Sequence, residues 1–278
     1  MRKFIIFILF SLVPISLFAQ AQILTKKEKL SDFPNKITKV VLLGNDFKDR
    51  AIKEAVNNSW HISPFEFCDM QSFEKLKTNP DLYFLMLVNI RNKKESKPGI
   101  SAFTLIKGDK NVKSIDDMLE VISMPVCAAD SPSGKEMAMM PALLDMMQEY
   151  VAKSLVNGFS SIGSIVKNIK CTKNMALFFD KEDFSPQIDS VYVAGKFDKQ
   201  IIVGDEGTVI RAMMDANDMS AVGYVICPSK PQKGSLCYLM LFNAGTHELY
   251  YFKKRKIGGN LNVGFMKSDI NKIISFRK

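Results

Sequence analysis

Two histidines, five cysteines and a few clustered acids are the groups that could do chemistry in this 278-residue chain. Nucleophilic catalysis needs a histidine beside a serine or cysteine. His61 follows Trp60 at a helix-to-strand joint and His247 falls in a hairpin turn, and neither comes with a G-x-S-x-G elbow. Ser131-Pro-Ser-Gly-Lys135 has the lysine of a phosphate loop, but the first glycine is missing and Glu136 stands where the hydroxyl residue belongs. It also misses a Ser-x-x-Lys spacing by one residue. The segment therefore reads as a helix cap, with Ser131 or Ser133 as the capping residue. Gly204-Asp205-Glu206-Gly207 looks like half of a nucleotide-binding turn, yet two acids at that helix start would repel a phosphate. The acids Asp116-Asp117 and Asp180/Glu182/Asp183 fall on a helix start and a loop, without an aromatic sugar platform nearby.

Metal and redox chemistry find little support. None of Cys68, Cys127, Cys171, Cys227 and Cys237 sits in a Cys-x-x-Cys spacing, which removes the zinc and thioredoxin readings. Four of them follow an apolar residue, as small buried hydrophobes do, and such surroundings raise thiol pKa values and keep them inert. A hairpin centred near Gln232 would set Cys227 opposite Cys237, predicted as buried thiols. Among the 16 methionines, Met137, Met139, Met140, Met146 and Met147 cluster. They read either as a thioether copper site or as an adaptable core or partner surface, the second being favoured. No cofactor and no metal is expected, nor any catalytic site on His61, His247 or a cysteine. The candidate partner surface comprises Met139, Met140 and Met146 with the block Lys253-Lys254-Arg255-Lys256, which could equally guard an edge strand.

The amino terminus bears on the compartment. Met1-Arg2-Lys3 precedes an apolar run over residues 4–18, and Ala19-Gln20-Ala21 offers a small-x-small cleavage site. The run is shorter than the roughly 20 residues of a membrane helix and contains Pro14. Cleavage after Ala21 is expected, giving an exported, periplasmic or secreted chain with no transmembrane segment, and removing Arg2 and Lys3 lowers the formal net charge of +9 by two. Outside the cytoplasm an anionic envelope polymer or an envelope protein is a more sensible partner than nucleic acid. The composition, 47% hydrophobic and 24% charged, excludes a disordered chain and a polytopic membrane protein.

The periodicity predicts two similar halves. Strands are expected at 39–44, 62–68, 82–90 and 100–106, with helices at 46–59, 72–77 and 115–123. The order returns as strands at 200–204, 222–227, 236–243 and 247–255, with helices at 207–217 and 267–275. Leu85-Met86-Leu87-Val88-Asn89 echoes Leu239-Met240-Leu241-Phe242-Asn243. Residues 134–169 read as two helices broken at Gly158. The expected fold is α+β: two related β-α-β-β-β-α domains, a duplication, linked by a helical pair. Its divisions are a signal peptide at 1–21, a first domain at 22–128, a connector at 129–180 and a second domain at 181–278.

This element order, a strand-helix-strand start followed by a meander and a closing helix, resembles the small α/β domains of TolB amino-terminal and CsgG-type envelope proteins. The resemblance covers about 80 residues per half and no diagnostic motif. It implies a non-enzymatic binding or envelope-assembly module. The alternative expectation is a hydrolase of an envelope polymer that works with carboxylates.

Overall fold

The computed structural model describes residues 30–92, 95–158, 160–259, 263–275 and 277. The expected signal peptide lies outside them. The described residues form an α+β protein with two five-stranded mixed sheets and six helices. The first sheet contains β1 (Ile37–Val41), β2 (Phe65–Cys68), β3 (Leu82–Ile90), β4 (Ile100–Lys107) and β5 (Leu119–Ala128), in the order β2-β1-β3-β4-β5. The second contains β6 (Ala176–Asp180), β7 (Ile201–Gly204), β8 (Ser220–Ile226), β9 (Leu236–Asn243) and β10 (Leu249–Lys256). Its order is β10-β9-β8-β6-β7, so each strand takes the place of the one five earlier. In both sheets the first three strands are parallel, the fourth pairs antiparallel with the third and the fifth antiparallel with the fourth.

The helices are α1 (Asp46–Ser59), α2 (Met70–Leu76), α3 (Lys135–Asn157), α4 (Ser190–Lys196), α5 (Glu206–Met214) and α6 (Lys267–Ser275). α1 starts where the Asn45 side chain accepts from Lys48 N, and it buries Ile52, Ala55 and Val56 at helical spacing. α1, α3 and α5 share one core with the inner faces of both sheets, including Leu85, Leu105, Val222 and Tyr224. The outer face of the second sheet packs on α4 and α6 around Leu177, Phe179 and Ile270; that of the first packs on α2 around Phe73 and Phe84. α3 thus lies between two sheets.

That position corrects several sequence expectations. The segment 115–123 is not a helix. Ser114 and Asp117 make a capping box, but the turn they start stops at Ile115–Asp117, and β5 follows with Val121, Met124 and Val126 buried. Pro125 is tolerated because β5 is an edge strand with a register shift nearby. β6, placed by sequence inside the helical connector, is the middle strand of the parallel trio in the second sheet. With both strands counted, β3 corresponds to β8 and not to β9, so the Leu85–Asn89 echo falls on non-equivalent strands. The helical pair is one 23-residue helix followed by single turns at Ile162–Ile165 and Ile169–Thr172. Met139, Met140 and Met146 are at most 2% exposed and form core between the sheets, which rules them out as a partner surface. Among the described residues no helix is long and apolar enough to cross a membrane.

Candidate functional site

In the second sheet the chain leaves β6 for β7 on one side and returns to β8 on the other. Such a switch of direction opens a crevice at the carboxyl ends of the parallel strands. Here it is a cleft of about 600 Å³, closed on the far side by the end of β5 and the start of α3. Asp180 ends β6, and its carboxylate accepts from Glu182 N at 3.0 Å, starting a single turn that brings Asp183 round beside it. Phe265 N donates to Asp183 O and Ser185 N to Phe265 O, which pins this turn against the segment before α6. Gly264, at φ +76°, lies so close to the Asp183 carbonyl that a Cβ would collide with it.

The opposite wall delivers Lys135, the first residue of α3. Its Nζ lies 2.9 Å from Asp180 Oδ2 and 3.0 Å from each Asp183 oxygen. All three residues are buried. The ammonium also lies over the ring of Tyr224, 5.7 Å from its centroid, and the Tyr224 hydroxyl donates to Val126 O of β5. Burial pushes the Asp183 carboxyl up to about 7 against the charge and hydrogen bonds of Lys135, with the Asp180 charge adding to the rise. Burial also works against the Lys135 ammonium, but Asp183 and the hydrogen bonds to both acids outweigh it and lift its pKa above the usual lysine value.

Both helix amino termini at the cleft are already occupied by the chain's own acids. Gly134, at φ +99°, is the N-cap of α3, and its N–H donates to Glu136 Oε2 at 2.9 Å while Lys135 N donates to Ser133 Oγ at 3.2 Å. The cap is therefore Gly134 and not Ser131 or Ser133. Asp205 caps α5, accepting from Thr208 N at 2.9 Å. A phosphate would meet these carboxylates first. Glu182, Asp205 and Glu206 line the cleft and take part in no ion pair among the described residues. No three of His, Cys, Asp and Glu converge closely enough to hold a metal ion among the described residues. The equivalent crevice of the first sheet is filled by its own carboxylate, since Leu43 N and Gly44 N both donate to Asp49 at 2.8 and 2.9 Å.

The histidines lie elsewhere. His247 Nδ1 pairs with Asp145 Oδ2 of α3 at 2.7 Å, and His61 N donates to Gln148 Oε1 one helical turn on. Both dock loops onto α3. The basic block lies on edge strand β10. Lys253 and Arg255 bind Asp269 of α6, while Lys254 and Lys256 are exposed. Sequence reasoning had the cleft's parts separately, the cap at Lys135 and the acid cluster at Asp180, but nothing in the linear pattern joined them. Comparison with protein families, curated proteins and solved structures finds no match.

The raised Asp183 carboxyl has a measurable consequence. A group that binds its proton more tightly when folded makes the fold more stable at low pH, and that stability is lost as pH rises through the folded value. Between pH 6 and 8, a carboxyl moved from the ordinary value of 3.8 to about 7 changes stability by about 1.4 kcal/mol, higher at pH 6. Urea unfolding at both pH values should show this difference shrinking in Asp183→Asn. An equal pH dependence in the variant would place the titrating group elsewhere.

Proposed function

We propose that the chain is an exported, non-catalytic binding or envelope-assembly module, and that its ligand enters the cleft at the carboxyl ends of β6, β7 and β8. The observation that carries this reading is the charge of the cleft. Glu182, Asp205 and Glu206 line it outside any ion pair among the described residues and outnumber Lys181, which is likewise unpaired there, in a chain whose formal net charge is +9. An acidic, largely preformed crevice suits a ligand that presents an ammonium or guanidinium group. An anionic envelope polymer fits it poorly, and such a partner would have to use exposed Lys254 and Lys256 on β10.

Calorimetric titration of the mature chain with spermidine, arginine and a short lysine peptide tests the reading, with polyglutamate as the anionic arm. Saturable binding of the cations, weakened by salt, is expected to drop at least tenfold in Asp205→Asn/Glu206→Gln. Asparagine still caps a helix, so this variant keeps α5. Unchanged cation binding in the variant, or preference for polyglutamate, would remove the cleft from the ligand's path.

A second reading, a hydrolase acting through carboxylates on an envelope polymer, draws support from Asp183, whose carboxyl near 7 is matched to general-acid work at neutral pH. Against it, both Asp183 oxygens accept from Lys135 and the residue is 7% exposed. Turnover of peptidoglycan or a glycan that vanishes in Asp183→Asn would favour this reading over the first.

A further inference from the structure

β8 and β9 run antiparallel with Ile226 opposite Tyr238, and one further step along this ladder sets Cys227 opposite Cys237. The two thiols lie close enough to perturb each other. Opposed side chains on such strands have Cβ atoms about 4.5–5.5 Å apart, close to the roughly 3.5–4.5 Å that a disulfide requires. The two thiols have different surroundings. Cys227 is half-buried and lines the cleft. Cys237 is fully buried behind it, opposite Arg255 on β10.

We propose that Cys227 and Cys237 form a redox-active dithiol, which closes to a cross-strand disulfide by exchange with a small disulfide entering the cleft. Cys227, the Gly264 amide and the Arg255 charge hold the Cys237 thiol below its ordinary value, while Cys237 and burial push Cys227 up. Cys227 gives up its proton to solvent and its thiolate attacks one sulfur of the reagent, whose S–S bond breaks and releases one half as a thiolate. That thiolate takes a proton from solvent and leaves as a thiol. Cys237 gives up its own proton, attacks the mixed disulfide at Cys227 and expels the second half, which leaves as a second thiol. Two electrons pass from the protein to the reagent, and one S–S bond replaces another. Burial raises the Cys68 and Cys127 thiols, whereas the Cys237 thiol lies below its ordinary value.

The test exposes the mature chain to oxidised glutathione, alkylates the remaining thiols with N-ethylmaleimide and maps the peptides by mass. Labels on Cys227 and Cys237 should disappear together with a mass loss of two hydrogens, while Cys68 and Cys127 stay labelled. Cys237→Ser should stop at a glutathione adduct on Cys227, and Cys227→Ser should leave Cys237 unmodified. Wild-type protein in which both cysteines remain labelled, or in which either bonds to another cysteine, would overturn the proposal, and that result does not depend on the variants folding.

Discussion

Lys135→Met is expected to destabilise the protein by about 3–5 kcal/mol at pH 8, because it leaves two buried carboxylates without their cation. Among the described residues Lys135 is the ion-pair partner of both Asp180 and Asp183, and these are only 3% and 7% exposed. Methionine keeps the length and the apolar stem but supplies no charge and no donor. Asp183 can relieve the strain by taking a proton, so the loss should be smaller at pH 6 than at pH 8. Adding Asp180→Asn and Asp183→Asn to the variant should restore much of the stability, since a neutral site no longer carries the cost of buried charge. Denaturant unfolding of the three proteins at both pH values measures each step. A loss below about 1 kcal/mol at pH 8 would mean that water in the cleft solvates the acids and that the triad is not what holds α3 to the second sheet.

The same triad marks the limit of what the sequence made legible. Lys135 lies 45 residues from Asp180 and 48 from Asp183, on a helix that follows the first sheet. Only packing brings them together, and no periodicity encodes a contact at that range. Local patterns were far more readable. Short apolar runs located β3, β4, β8 and β9, and hairpin arithmetic placed Cys227 opposite Cys237. The failures were local patterns overridden by tertiary context. The segment 115–123 was expected to be a helix, but a single turn satisfies the capping box of Ser114 and Asp117 and the following residues pair with β4. β6 is five residues between short turns, too brief to stand out beside the long apolar stripe before it.

The methionines of α3 were misread for a reason visible in the sequence itself. A helix with apolar residues all round belongs between two layers, not at a surface. The counterpart of α3 in the second unit is α6, which also follows the last strand of its sheet. α6 is covered on one side only, and there it buries Ile270 and Ile273 while Lys267, Ser268, Asn271 and Lys272 face outward. Comparing the two helices separates an inner layer from an outer one. It also explains why the unit boundary carries the cleft, since there a helix that follows the first sheet starts at the strand ends of the second.

Asp269→Asn should be the second large effect, a loss of about 3 kcal/mol, because the charge it removes organises the basic strand. The Asp269 side chain is fully buried and accepts from Tyr251 Oη at 2.8 Å, Lys253 Nζ at 2.6 Å, Met266 N at 2.9 Å and Arg255. Burial alone would raise its carboxyl, but the bonds from Lys253, Met266, Arg255 and Tyr251 outweigh it and hold the pKa below the ordinary value. A carboxyl lowered on folding gives stability that is present above its unfolded value and lost as pH falls through the folded one. The deficit of the variant should therefore be largest at neutral pH and narrow in acid. Lys253 is 42% exposed and can turn to water, whereas Arg255 is 11% exposed and keeps an unmatched charge, so most of the loss belongs to the arginine. Lys254→Ala and Lys256→Ala, whose side chains are exposed, should each change stability by less than about 0.5 kcal/mol. Thermal and urea unfolding of the three variants would decide the role of the block. An Asp269→Asn protein as stable as wild type at pH 7 would release Lys253 and Arg255 from the fold and return all four basic residues to the surface as a site for an anionic partner.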